Sequence, residues 1–300
     1  MMRLLRWLSA AALLALLSAA LVALTVEAAR VLKRGTTLAF SSTRDGSADL
    51  YLLDIERDWL RPLTRFDAPV LYPTFSPDGA RIAFTARLDG SDDIFVMNLD
   101  GTALRRLTGH PASESLPAWT PDGRQIAFIS DWRGIPATYL IDVDSPSSAP
   151  VWEPITSTRA YYDRFGVSPD HALVVYVSAQ DGKTDIFTRA RSGLVVRITE
   201  LGSAFNPIWS PDSQWIAFES IAGGSLDIYI ALADGSAPPI NLTDHPAPDY
   251  APAWSPDGRA IAFVSNRTGS DDIYLITIDG SLLRRLTYLS GTNLNPVWLP

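Results

Sequence analysis

Three histidines, a set of recurring aspartates and no cysteine are what this sequence offers to chemistry. His110 and His245 stand in matching phrases, "LTGHP" and "LTDHP", so they return with a repeat and neither reads as a unique general base. His171 replaces the turn glycine in "SPDH". Asp49, Asp93, Asp185, Asp227 and Asp272 each open a triplet of the "D-I-Y" kind. A carboxylate that returns in five of six repeats, with Ala137 in the third, reads as a turn or strand cap rather than a metal ligand. "DGSDD" at 89–93 resembles a calcium loop but lacks the spaced ligands and closing Glu of an EF-hand. Without cysteine there is no thiolate metal site and no disulfide framework. No G-x-S-x-G elbow, separate α/β segment or phosphate-cradling glycine loop is present. The residues therefore predict a non-enzyme with no catalytic residue, no metal and no cofactor.

Any site must be positioned by the repeat itself. "FSPDGARIAFTARLDGSDDIFVMNLDGTALRRLT" from Phe75 is echoed by "WSPDGRAIAFVSNRTGSDDIYLITIDGSLLRRLT" from Trp254. The apolar triplet ends at Phe40, Phe84, Phe128, Tyr176, Phe218 and Phe263, steps of roughly 42–48 residues that suit about four strands per unit. The "R-L-T" element closes at Thr64, Thr108, Thr156, Thr199, Thr243 and Thr287. "SPDG" has the residues of a type I turn, with Pro preset at its second position and Gly at its last. Strands such as Ile273-Tyr274-Leu275-Ile276 are apolar on both faces, so both faces must be covered. Six four-stranded sheets packed face to face around an axis satisfy this. The prediction is all-β, a six-bladed β-propeller over residues 35–300. The first copy lacks its aromatic-SPDG strand and the closing "NPVWLP" supplies it, so the C-terminal strand should complete the first blade and leave no open edge.

The first 34 residues have a different character. "MMRLLR" is basic, and residues 7–26 carry no charge, a length that spans a bilayer as a helix. One N-terminal hydrophobic helix is expected there, as an uncleaved signal anchor in preference to a signal peptide cut near Ala28. Net charge is −8, and the N-terminal segment holds five of the cations, so the remainder is more acidic still. A phosphate backbone would be repelled, and nucleic acid is not expected as a partner.

The pattern P-x-W-S-P-D-G-x-x-I-A-F-x-S … D-I-Y … R-L-T resembles the TolB-type propeller repeats over nearly all of residues 37–300. Similar propellers are appended to prolyl-oligopeptidase-like serine hydrolases, and some stand alone as carbohydrate-active enzymes. The resemblance implies a cell-envelope, extracytoplasmic module that binds a protein or peptide. Membrane attachment would run through residues 7–26, and the propeller would be a monomer. The alternative is a hydrolase or lyase with its site at the mouth of the channel. Successive strands reverse direction, so the "SPDG" and third-to-fourth turns share one face of the disc. The opposite face carries the second-to-third loops and the links 65–73, 109–117, 159–166, 201–207, 244–252 and 289–296. A ligand is expected on that loop face. Its candidate binding residues are Tyr72, Trp132, Arg133, Tyr161, Tyr162, Arg164, Phe205 and Tyr250. The irregular third and fourth copies, "SDWRGIPATYL" and "TRAYYDRFGVSPDH", would bring Trp132, Arg133, Tyr161, Tyr162 and Arg164 together.

Overall fold

A computed structural model describes residues 35–145, 166–288 and 291–300. The segment 1–34 lies outside these, and the N-terminal helix expected there with it. The described residues form six antiparallel sheets and no helix. Each sheet runs outward from an innermost strand beside the axis. The innermost strands are Asn293–Trp298, Val70–Phe75, Glu114–Trp119, Gly166–Val167, Ala204–Trp209 and Asp249–Trp254, for the first to sixth blades. Five sheets show four strands, and the third shows three among the described residues.

The first blade joins the two ends of the chain. Asn293–Trp298 pairs antiparallel with Thr37–Ser42, setting Trp298 against Leu38 and Asn293 against Ser42. The N–H of Leu299 donates to Thr37 O at 2.9 Å, and the N–H of Gly35 to Leu299 O at 3.3 Å. This is the closure the sequence predicts, with no open inner edge left on the blade.

The core lies between blades rather than within them. Phe84, Phe75 and Ile82 of the second blade pack with Leu50, Leu52 and Ala39 of the first, and four more clusters of this kind fill other seams. The strands are apolar on both faces because each face is the wall of a seam. Ile273, Tyr274, Leu275 and Ile276 are all buried for this reason.

Polar groups lock the repeat in two ways. In the "SPDG" turn, the Ser hydroxyl donates to the Asp carboxylate and accepts the N–H of the next strand, as Ser255 does with Asp257 and Ala260. The Asp carboxylate also takes the N–H of Arg259 at 3.1 Å. His171 and Ser213 adopt left-handed φ of 60° and 62° at the turn position where glycine stands elsewhere. Between blades, the indole N–H of an innermost-strand Trp reaches a carbonyl of the blade before it. Trp119 donates to Thr74 O at 3.1 Å, Trp209 to Gly166 O at 2.8 Å and Trp298 to Ala253 O at 3.1 Å. Replacing Trp209 with Phe keeps an aromatic ring, though a smaller one, and removes the donor. It should cost about 1 kcal/mol, a fall of about 2–4 °C in the melting midpoint measured by circular dichroism.

Candidate functional site at the loop face

Each capping aspartate is built into its blade. Asp272 is fully buried and accepts Arg285 Nη2 at 2.7 Å, Thr287 Oγ1 at 2.7 Å and Ser270 Oγ at 3.0 Å. Asp185 holds Arg197 at 2.7 Å and Thr199 at 2.8 Å in the same way. The Thr hydroxyl in turn accepts the N–H of the residue after the aspartate, as Thr287 does from Ile273 at 2.9 Å. "D-I-Y" and "R-L-T" are thus the two halves of one clamp between third and fourth strands. The histidines are equally local. Nδ1 of His110 accepts Ala112 N–H at 3.1 Å, and Nδ1 of His245 accepts Ala247 N–H at 3.0 Å. Among the described residues no group of three His, Asp or Glu is arranged to hold a metal ion.

The mouth of the channel is built by the innermost strands. Tyr72, Leu116, Asn206, Ala251 and Asn295 all take left-handed φ of 52–56°, and each stands immediately before a proline. The pairing register with the second strand slips at the same place in every one of these blades. This conformation is unfavourable for a non-glycine residue and doubly so ahead of proline, and five copies of it form a repeated bulge around the axis. The backbone there is uniform while the side chains are not. Tyr72, Asn206 and Ala251 occupy equivalent positions, as do Phe205 and Tyr250 one residue earlier.

This corrects the placement of three predicted residues. Tyr72, Phe205 and Tyr250 belong to innermost strands, not to the links, because each strand begins inside the segment that reads as a link. All three are half-buried. Burial, and then the Asp271 carboxylate that accepts its hydroxyl, push the Tyr250 phenol up from its ordinary value. Glu219, a buried acid that no motif flags, ties two bulges together. Its Oε2 accepts Asn206 Nδ2 at 3.0 Å and its Oε1 accepts the N–H of Ala251 in the next blade at 2.8 Å.

Three side chains close the outer part of the loop face over the aromatic pairs of their blades. Arg44 lies 4.6 Å from the Tyr51 ring centroid and Arg267 lies 5.0 Å from that of Tyr274. Trp132 takes the equivalent place in the third blade, edge-on to Tyr139 at 6.3 Å and to His110 at 5.6 Å. Half-buried Trp132 is therefore a lid on its own blade, while Arg133 lies over its ring at 5.3 Å and is exposed, as is Ile135. Tyr161, Tyr162 and Arg164 lie outside the described residues. Of the predicted five-residue patch, the structure places Trp132 and Arg133 together. A cleft of 470 Å³ opens elsewhere, by Arg81, Leu104, Arg105 and Asp144.

These features define a repeat propeller whose turns and clamps are structural. The family model of the TolB beta propeller domain matches residues 27–200 and 168–300, and the chain belongs to that family. Among solved structures it is similar to TolB from Acinetobacter baumannii, with a TM-score of 0.76 at 19% identity, over 88% of this chain and 67% of that one. A putative TolB from Agrobacterium tumefaciens matches with a TM-score of 0.66 at 24% identity, over 85% and 91%. An oligogalacturonate lyase in complex with manganese matches with a TM-score of 0.51 at 17% identity, over 85% and 74%. At these identities the structural likeness is one of fold. No curated protein matches the chain.

Proposed function

We propose that this chain is an extracytoplasmic propeller of the cell envelope that binds a protein or peptide partner through its loop face. The observation that carries the reading is the mouth of the channel. A uniform, strained backbone there displays side chains that differ from blade to blade, the arrangement by which a symmetric ring acquires a specific surface. Membership of the TolB propeller family supports an envelope role, and the uncharged run at residues 7–26 supports a membrane tether. Because Gly35 enters the fold beside Leu299, on the "SPDG" face, such a tether would leave the loop face turned away from the bilayer.

The second reading is a carbohydrate-active hydrolase or lyase, which the lyase neighbour favours at the level of fold. It requires acids at the mouth that are available to substrate. Glu219 has both oxygens engaged, Asp249 holds Arg267 at 2.7 Å, and Asp271 receives the Tyr250 hydroxyl. These contacts favour binding over catalysis.

The test is affinity capture of the full-length chain from gently solubilised native membranes, followed by mass spectrometry. Arg133→Glu with Ile135→Asp alters the exposed loop, and Arg191→Glu alters an exposed turn on the opposite face. The expected result is a partner lost with the first variant and kept with the second. Loss with Arg191→Glu alone, or turnover of an acidic oligosaccharide by the purified chain, would overturn the reading.

A further inference from the structure

Among the described residues, a seam behind a capping aspartate brings the first residue of the next innermost strand against that aspartate. The N–H groups of Val70, Asp249 and Asn293 donate at 2.7–2.8 Å to Ala48 O, Leu226 O and Asp271 O, each just ahead of a capping aspartate. The seam pairs are thus Val70 with Asp49, Asp249 with Asp227 and Asn293 with Asp272, and by the repeat Glu114 with Asp93 and Ala204 with Asp185. Three incoming side chains are polar, and all three are fully buried. Asn293 suits its neighbour, since Nδ2 donates to Asp272 Oδ1 at 3.1 Å and Oδ1 accepts Arg44 Nη2 at 2.9 Å. Asp249 sets acid against acid, and Arg267 neutralises it at 2.7 Å.

Glu114 also sets acid against acid, but Trp132 stands where Arg44 and Arg267 stand. Its Oε1 accepts Ser130 Oγ at 2.9 Å, while Oε2 is buried with no hydrogen-bond partner. Among the described residues no cation forms an ion pair with it. The charges around it are Asp93 with its Arg106, Asp131 of the next loop, and Asp92 with its Arg87, next to Ser113. His110, on the link ahead of it, is edge-on to Trp132. The clamp beside the second acid is stretched at both acidic seams. Thr108 to Asp93 is 3.2 Å and Thr243 to Asp227 is 3.4 Å, against 2.7–2.8 Å at Asp49, Asp185 and Asp272.

A buried carboxylate without a counter-charge is costly to ionise, and a neutral carboxyl can donate where a carboxylate cannot. We propose that Glu114 is a proton switch in the seam between the second and third blades. Neutral, it donates toward the Thr108–Asp93 clamp and closes the seam. Ionised, it repels Asp93 and competes with it for the Thr108 hydroxyl, which opens the clamp and loosens the link carrying His110 and the loop carrying Trp132 and Arg133. Burial above all, with Asp93 and Asp131 adding against the pull of the Ser130 and Thr108 hydroxyls, pushes this carboxyl up from 4.5 to about 7. A raised carboxyl gives stability that is fully present below its ordinary value. That stability is lost as pH rises through the folded value, with no further loss above it.

The test compares the wild type with Glu114→Gln, whose amide keeps the volume and offers the donor that Asn293 provides at its own seam. Melting midpoints are followed from pH 5 to 8.5, with amide exchange of residues 107–119 corrected for intrinsic rate. The wild type should lose about 5 °C relative to the variant between pH 5 and 7.5 and then run parallel to it. Exchange in 107–119 should quicken over the same range in the wild type alone. Parallel melting curves throughout, or a variant less stable than the wild type at pH 8, would overturn the proposal. Should Glu114→Gln fail to fold, the wild type decides by itself. Selective quickening of 107–119 relative to 291–298 upholds the switch, and equal behaviour of the two segments sinks it. The readout is exchange and stability, so it stands or falls separately from the partner-binding reading.

Discussion

Removing residues 292–300 should abolish the cooperative unfolding of the whole propeller, not trim one blade. Those residues touch three blades at once. Trp298 is buried in the cluster between the sixth and first blades, and its indole donates to Ala253 O at 3.1 Å. Leu299 is buried in the cluster between the first and second blades. The strand itself supplies the inner edge of the first blade, and Asn293 accepts Arg44 at 2.9 Å and donates to Asp272 at 3.1 Å. Burying each large apolar side chain is worth ~1.5–3 kcal/mol, and the loss would fall on a chain whose total stability is only about 5–15 kcal/mol. The truncated first blade would also expose an unpaired edge, a template for aggregation. Calorimetry of the truncated chain should show no sharp transition at the wild-type midpoint. An unchanged midpoint would mean that the C-terminal strand does not close the ring.

The second large effect is expected at Asp272. Its carboxylate is fully buried and receives five donors, Thr268, Ser270, Arg285, Thr287 and Asn293. Substitution by Ala strands Arg285, which is only partly exposed, and leaves Asn293 without its seam acceptor. Breaking one side of such a buried pair costs about 3–5 kcal/mol, which lowers the midpoint by about 10 °C. Asp49 occupies the same position, but it receives Thr64 Oγ1 and the N–H of Phe66, and Pro62 stands where Arg285 pairs. Asp49→Ala should therefore cost clearly less than Asp272→Ala. Equal losses in thermal melts of the two variants would refute the assignment of the arginine as part of the clamp.

Much of this fold could be read from the chain because its punctuation is local. "SPDG" builds a turn from its own side chains, as the contacts of Ser255, Asp257 and Ala260 show, so each strand boundary near it is written in four residues. The doubly apolar strands and the displaced final strand then force packing on both faces and closure of the ring. The candidate site was less legible, for two physical reasons. The residue before a proline is biased toward extended backbone, so nothing in "LYP", "FNP" or "YAP" announces a left-handed bulge. Tyr72, Phe205 and Tyr250 accordingly read as link residues when they are strand residues. Seam contacts also join residues of different repeats. Glu114 reads as an ordinary polar link residue until the register sets it beside Asp93, and Glu219 becomes a bridge only once Ala251 of the next blade is beside it. Trp132 looked irregular because it replaces the arginine lids of two other blades, and it keeps their covering role.

The central claim is that the loop face, and not the turn face, meets the partner. It is tested most directly by amide-exchange footprinting of the intact chain with and without the partner recovered by capture. Protection should concentrate in the loops around Arg133 and in the first halves of the innermost strands, at Tyr72, Phe205 and Tyr250, with the "SPDG" turns unchanged. Protection confined to the turns around Asp78, Asp212 and Asp257 would contradict it.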